Sequence, residues 1–252
     1  MTGTEVLLFA HRGGRDWAPE NTMAAFRRSL ELGVDGIELD VQRCASGEIV
    51  VFHDSDLSRT TNGVGLLKDS SFEELRRLST GLYYSPEFES ERIPLLEEVL
   101  DLVDGKCLIN VEIKSLPYPF DGIESELVEL MDAYKHIDSI IFSSFDHRVV
   151  SRMSRLRPDW NYAVLMVGVP HPFKDYCRSL NARYFHPEFE SFDQETAEQA
   201  RECGITILPW TVNDERAWSQ MLTLGVGGII TDKPASLKRF LERVKTLSEQ
   251  EV

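Results

Sequence analysis

Two histidines follow directly on apolar, strand-like runs, and each begins a short polar cluster. His11 opens the sequence HRGG, whose second residue is Arg12, and His53 is followed by Asp54. Between them, Glu38 and Asp40 lie two residues apart in a further strand-like run and therefore project to the same face. Two imidazoles for proton transfer, a carboxylate pair for a cation and an arginine for an anion are the groups needed to cleave a phosphate ester.

These side chains are positioned by a regular alternation of apolar, β-branched runs and amphipathic helical stretches. Met23–Leu32, for example, begins after Asn21-Thr22 and ends at Gly33, as a helix should. Strands separated by helices are expected to be parallel. The nine strand-like runs are Val6–Ala10, Gly36–Val41, Ile49–His53, Cys107–Ile113, Ser139–Ser143, Asn161–Met166, Arg183–His186, Ile205–Trp210 and Gly228–Thr231.

One connection is too short for a helix. Only Gln42–Gly47 separates the second and third runs, so these two are expected to form an antiparallel hairpin. If the turn centres near Ala45-Ser46, Glu38 pairs opposite His53 and Asp40 opposite Val51, which predicts that His53 shares the face of both carboxylates.

Without the hairpin return, eight parallel strands remain in a chain of 252 residues. This number and size predict an α/β fold of the TIM (β/α)8 barrel type. The alternative is a doubly wound open sheet, but no Gly-rich dinucleotide loop follows the first strand.

Residues Ser55–Arg92 fit no strand–helix unit of the barrel. They contain the Gly-rich segment TNGVG at 61–65, and Ser71 with Glu74 predicts a capping box for a short helix. We therefore expect one catalytic domain over residues 1–252, with 55–92 as an inserted capping subdomain over one end of the barrel.

Enzymes on this barrel place their sites at the carboxyl ends of the strands. Glu112 ends the fourth run, and with Glu38 and Asp40 it forms an all-oxygen set that suits Ca²⁺ or Mg²⁺ rather than zinc. The alternative is that each carboxylate pairs with Arg12, Lys114 or a histidine instead.

The remaining strand-end residues suggest catalytic and binding roles. His11 and His53 could act as general acid and general base. Arg12 offers a planar fork for phosphate oxygens, or else forms a surface salt bridge. Lys114 could add a second positive contact or could instead hold a carboxylate in place. Trp210 could form a wall of the pocket or belong to the core, and His186 is a further pocket candidate.

Composition limits the partners. Twenty-seven basic and 42 acidic residues give a net charge of −15, which argues against nucleic acid but not against a small anionic substrate. The four cysteines lack CxxC spacing, the first residues do not resemble a signal peptide, and no apolar run approaches the roughly 18 residues of a membrane span. We expect a cytoplasmic protein without stable membrane insertion.

The sequence contains no pattern that indicates an oligomeric state.

The chain resembles the glycerophosphodiester phosphodiesterase family, of the phospholipase C-like phosphodiesterase superfamily. Ten pieces match in order over nearly the whole length. They are HRG at 11–13, PENT at 19–22, ELDV at 38–41, HD at 53–54, RTTNG at 59–63, IPLLEE at 93–98, VEIK at 111–114, SSF at 143–145, WTVN at 210–213 and ITDKP at 230–234.

The resemblance implies a TIM barrel with a small insertion after the second histidine motif. It also implies that one divalent cation, Ca²⁺ or Mg²⁺, is held by Glu38, Asp40 and Glu112, and that His11 and His53 are the acid–base pair. By the same resemblance, Arg12 and Lys114 bind the phosphate.

The reaction that follows from this resemblance is metal-dependent hydrolysis of a small-molecule glycerophosphodiester to sn-glycerol 3-phosphate and an alcohol. Three alternatives are open. A lysophospholipase D would act on lipid-tailed diesters, with an apolar path supplied by the aromatic insert around Tyr83, Tyr84 and Phe88. A binding protein would keep the fold but not the chemistry, and a nuclease is disfavoured by the net charge of −15.

Overall fold

In the computed structural model, residues 6–119 and 122–250 are described, with side chains to residue 247. The segment 1–5, on which the signal-peptide prediction rests, and residues 251–252 lie outside the described residues. The strands are β1 (Leu7–Ala10), β2 (Gly36–Arg43), β3 (Ile49–Val51), β4 (Leu108–Ile113), β5 (Ile140–Ser144), β6 (Asn161–Met166), β7 (Tyr184–Pro187), β8 (Thr206–Ile207) and β9 (Gly228–Thr231). The helices are α1 (Met23–Leu32), α2 (Phe72–Leu75), α3 (Leu96–Val103), α4 (Ile123–Asp132), α5 (His147–Leu156), α6 (Phe173–Ser179), α7 (Gln194–Cys203), α8 (Glu215–Leu224) and α9 (Pro234–Gln250).

The strands form a nearly closed barrel. In the described chain, eight parallel strands are ordered β8-β7-β6-β5-β4-β2-β1-β9, and β3 pairs antiparallel with β2. Between β8 and β9, the Gly227 N–H donates to the Ile207 carbonyl oxygen and the Ile230 N–H to the Pro209 carbonyl oxygen, both at 3.0 Å. These bonds close the ring, and the predicted TIM barrel is confirmed.

Local sequence sets the helix ends as expected. The Thr22 side chain accepts a hydrogen bond from the Ala25 N–H at the start of α1, and Gly33 ends this helix with φ of 71°. The strand predicted over Ile205–Trp210 is shorter, because Pro209 has no N–H to donate to a ladder.

The hairpin register differs from the prediction by one residue. Val41, not Asp40, pairs with Val51, because five residues, 44–48, lie between the paired ends and the turn centres on Ser46. His53 therefore does not share a strand face with the carboxylates through the ladder. β3 ends at Val51, and the chain after it is held by Gln42, whose Nε2 lies 2.8–3.1 Å from three successive carbonyl oxygens at 52–54.

One apolar cluster lies inside the barrel and another packs against its outer face. The larger lies between the strands and the surrounding helices, and a smaller one fills the barrel interior. The interior cluster consists of Phe9, Ile141, Ala163, Leu208 and Ile230, with four partly buried neighbours. Because the interior is filled by side chains, a binding site can form only above it, at the carboxyl ends of the strands.

The insertion has a small core of its own against the hairpin. Leu57, Leu67 and Leu75 from the insertion pack with Val50 and Phe52. The predicted capping box is present: the Ser71 hydroxyl accepts from the Glu74 N–H and the Glu74 carboxylate from the Ser71 N–H. Within residues 6–119 and 122–250, no helix has the length and apolar content needed to cross a bilayer.

Candidate active site

A tight turn after β1 brings Arg12 to the barrel mouth. Arg12 adopts φ of 50° and Gly13 φ of 82°, and a side chain at Gly13 would come within 2.8 Å of the Ala25 methyl group. Glycine at position 13 therefore permits both the turn and the close approach of α1. As a result, the Arg12 N–H donates to Glu38 Oε2 at 2.9 Å.

Three carboxylates converge from two neighbouring strands. Asp40 on β2 is in register with Glu112 on β4, and Glu38 lies two residues earlier on β2. One oxygen from each of the three lies within 4.8 Å of the others. Asp40 is fully buried and Glu38 is 4% exposed.

The pKa values of two carboxyl groups in this cluster are strongly shifted, in opposite directions. Burial, together with the negative charges of Asp40 and Glu112, raises the pKa of Glu38 well above its usual range. For Asp40, burial acts in the opposite direction to Arg12 and Lys114, and these two cations hold its pKa well below the usual range.

The cluster fits a hard cation. All three side chains offer oxygen, which Ca²⁺ and Mg²⁺ prefer. Asp40 Oδ1 is buried and has no hydrogen-bond partner in the described residues. Glu38, Asp40 and Glu112 are therefore the residues that could hold a metal ion.

Each of the two histidines forms a hydrogen bond with a carboxylate through its Nδ1 atom. His11 Nδ1 lies 2.7 Å from Asp232 Oδ1, and His53 Nδ1 lies 2.5 Å from Asp54 Oδ1. A proton on Nδ1 that bonds to a carboxylate leaves Nε2 as the acceptor. His11 Nε2 lies 3.8 Å from Glu38, while His53 Nε2 lies 4.0 Å from Asp40. Both rings therefore direct Nε2 toward the acidic cluster.

Burial lowers the pKa of His11, and the bond to Asp232 offsets part of this effect. A neutral imidazole at neutral pH can accept a proton, which is what a general base requires. His53 is more open, with 28% of its side chain exposed.

The two cations contact the carboxylates. Lys114 Nζ lies 2.6 Å from Glu112 Oε1, 3.7 Å from Asp40 Oδ1 and 3.2 Å from His53 Nε2. Arg12 Nε lies 3.3 Å from Asp40 Oδ2, and its Nη1 donates to Glu20 Oε1 at 2.7 Å. Both cations thus form ion pairs, and those of Arg12 are buried rather than at the surface, since its side chain is 12% exposed. Arg12 also lines the cleft, so both of its roles stay open.

A cleft of about 210 Å³ opens above the cluster. Phe145 and Trp210 form one apolar side of the cleft, and their rings meet edge to face with centroids 5.5 Å apart. Trp210 also packs against the interior cluster, so it is both a wall and a part of the core. His186 lines the same cleft and is fully buried.

Several contact residues had no role assigned from the sequence. Asp232 and Asp54 hold the histidines, and Asn21 Nδ2 donates to Asp40 Oδ2 at 2.8 Å. Arg59, from the insertion, bonds both to Asp54 and to Glu20. A carboxylate directly after a strand-end histidine was the available signal for Asp54, and a strand-end position was the signal for Asp232.

Comparison with known proteins agrees with this geometry. The model of the glycerophosphoryl diester phosphodiesterase family matches residues 11–236. A glycerophosphodiester phosphodiesterase of Caldanaerobacter subterraneus is 39% identical over 241 residues, covering 95% of this chain and 99% of that protein. One from Bacillus altitudinis is 39% identical, with coverage of 94% and 99%.

Solved structures show the same architecture. An Oleispira antarctica phosphodiesterase, solved in complex with the product sn-glycerol-3-phosphate, superposes with a TM-score of 0.87 at 27% identity. The match covers 94% of this chain and 96% of the other.

Proposed function

Because this chain belongs to the glycerophosphoryl diester phosphodiesterase family and is a phosphodiesterase, we propose that it hydrolyses glycerophosphodiesters to sn-glycerol 3-phosphate and an alcohol. The product bound in the Oleispira antarctica structure supports this choice of substrate. The observation that carries the proposal is the convergence of three carboxylates, Glu38, Asp40 and Glu112, between two imidazoles whose Nε2 atoms face them.

The reaction has an electrostatic obstacle, since the diester is an anion that repels nucleophiles. A Ca²⁺ or Mg²⁺ ion held by Glu38, Asp40 and Glu112 would supply charge neutralisation at the phosphate oxygens. Arg12 and Lys114 add fixed donors beside the same position. Phosphate binding by these two residues is supported by the position of Arg12 in the cleft lining and by the contacts of both cations with the acidic cluster.

The histidines move the protons. One Nε2 takes a proton from the attacking hydroxyl, and the other gives a proton to the leaving alkoxide. Asp232 and Asp54 fix the two tautomers through their bonds to Nδ1. The attacker is either the glycerol hydroxyl next to the phosphate ester or water, and both routes need the same pair of proton carriers.

We also propose that residues 55–92 act as a capping subdomain within a single domain. Arg59 reaches Asp54 and Glu20, and the Tyr83 hydroxyl accepts from the Glu20 N–H at 3.2 Å. These contacts support a role of the insertion in fixing the chain around His53.

The first test is product release. We expect purified protein with Ca²⁺ or Mg²⁺ to release glycerol 3-phosphate from glycerophosphocholine. Turnover on lysophosphatidylcholine should be much lower, because Phe88 is buried and Tyr83 and Tyr84 line a neighbouring cleft rather than the one above the acidic cluster. Equal or faster turnover of the lipid would favour the lysophospholipase D alternative, and no choline release from either substrate would favour a binding protein.

A second test concerns Asp232. We expect Asp232→Asn to lower kcat by about 10²- to 10⁴-fold with little change in KM, because an amide can no longer fix the His11 tautomer or stabilise its cation. Asp138→Asn, at an exposed carboxylate, is the matched control and should keep full activity. The double variant His11→Ala/Asp232→Asn should be no slower than His11→Ala alone, since both changes remove one function. Multiplicative losses in the double variant would show that Asp232 does not act through His11.

A further inference from the structure

Three buried polar side chains, two lining the cleft and one on the strand beside it, present atoms that no group of the described residues satisfies, and together they are called the floor. Both ring nitrogens of His186, Oδ1 of Asn110 and Oγ of Ser143 have no hydrogen-bond partner within residues 6–119 and 122–250. Each of the three residues is at most 2% exposed. His186 and Asn110 line the cleft, and Ser143 is in register with Glu112 on the neighbouring strand.

Such atoms are costly to bury. A polar group removed from water loses its hydration, and native structures almost always replace it with a hydrogen bond. The side chains packed deeper in the barrel are apolar, among them Phe9, Ile141 and Leu208. The polar floor therefore marks the boundary between the packed interior and the cleft, where a ligand can complete the missing bonds.

The chemistry of the floor fits an uncharged hydroxyl group. Burial lowers the pKa of His186 to about 3, so its ring is neutral, with one donor and one acceptor. The Asn110 oxygen accepts, and the Ser143 hydroxyl can do both. Asn110 on β4 is in register with Glu38, and Ser143 on β5 is in register with Glu112, which places these neutral groups beside the acidic cluster.

Charge separates two kinds of recognition. The charged groups, including Arg12 and Lys114, surround the position of the phosphate. The floor beside them offers neutral donors and acceptors, which suit the far hydroxyl of a three-carbon polyol. A phosphate placed at the floor would find no cation among His186, Asn110 and Ser143.

We propose that His186, with Asn110 and Ser143, binds the terminal hydroxyl of the substrate's glycerol moiety and selects glycerol diesters over diesters that lack this hydroxyl. This inference rests on the proposed function. A site built to bond a hydroxyl rejects the analogue without it, because its own buried polar atoms are then left unpaired.

The test compares two substrates that differ in one oxygen. The first is glycerophosphocholine, and the second is the propane-1,2-diol phosphocholine diester, which keeps the hydroxyl next to the phosphate ester and lacks the terminal one. Choline release gives kcat/KM for both. We expect wild-type protein to prefer the glycerol diester by about 10²-fold or more.

Variants then assign the preference to the floor. His186→Leu should lower the ratio at least about tenfold, mainly by slowing the glycerol diester. Ser143→Ala removes one oxygen only and should also lower the ratio, which keeps the test decisive if His186→Leu does not fold. Ser144→Ala is the matched control, since the Ser144 hydroxyl donates to the Ile113 carbonyl oxygen instead, and it should keep the wild-type ratio.

The outcomes separate this inference from the function on which it rests. Wild-type protein that cleaves both diesters equally well, or floor variants that keep the wild-type ratio, would overturn hydroxyl selection while leaving the hydrolase activity intact. Absence of choline release from both substrates would overturn the proposed function, and this inference with it.

Discussion

Replacing His11 or His53 with alanine should lower kcat by about 10²- to 10⁴-fold, because each reaction step then lacks a positioned proton carrier. Both rings direct Nε2 toward the acidic cluster and are held there by Asp232 and Asp54. The barrel should stay folded, since neither ring belongs to the apolar core clusters. Release of glycerol 3-phosphate and circular dichroism measure the two effects.

The matched control for these variants is His171→Ala, at an exposed histidine outside the cleft. It should keep full activity. Either His11→Ala or His53→Ala with more than about a tenth of wild-type turnover would refute the proton-transfer role of that residue.

A substrate with a better leaving group can separate the two roles. A p-nitrophenyl diester needs little protonation of its leaving oxygen, so loss of the general acid should matter much less on it. The histidine whose alanine variant recovers on this substrate is the acid, and the one whose variant stays slow is the base. Equal recovery of both variants would contradict a division of roles.

Chelation should abolish activity, and adding back Ca²⁺ or Mg²⁺ should restore it. Without a cation, Glu38 lies beside two other carboxylates, and its pKa is raised by burial and by their charges. A bound divalent ion would offset this repulsion and would also stabilise the folded protein, by about 2.7 kcal/mol at a concentration 100 times Kd. The experiment therefore has two measurements, turnover and the thermal unfolding midpoint.

Variants make the metal test specific. Glu112→Gln should weaken both the rescue of activity and the rise in unfolding midpoint, because it removes one of the three anionic ligands. Glu97→Gln, at an exposed carboxylate on α3, should leave both unchanged. Unchanged turnover after thorough chelation would eliminate the cation from the proposal.

Much of this protein follows from its sequence alone. Apolar runs of four to eight residues and well-capped helices are local patterns, so the barrel and most strand positions could be predicted. Because parallel strands end at one mouth, residues at strand ends, such as His11 and Glu112, could be expected to lie together. The capping box at Ser71 was likewise visible from four consecutive residues.

The tertiary structure decided the contacts that orient these groups. The register of the β2–β3 hairpin depended on one extra residue in its turn, and His53 reaches the site through the bonds of Gln42 rather than by strand pairing. Asp232 holds His11 across 221 residues of sequence, because β9 pairs with β1 when the barrel closes. Hydrophobic periodicity is read within one element, whereas a hydrogen-bond partner is selected by whichever elements the closed barrel brings together, so the sequence indicated the chemical groups and the fold determined their partners.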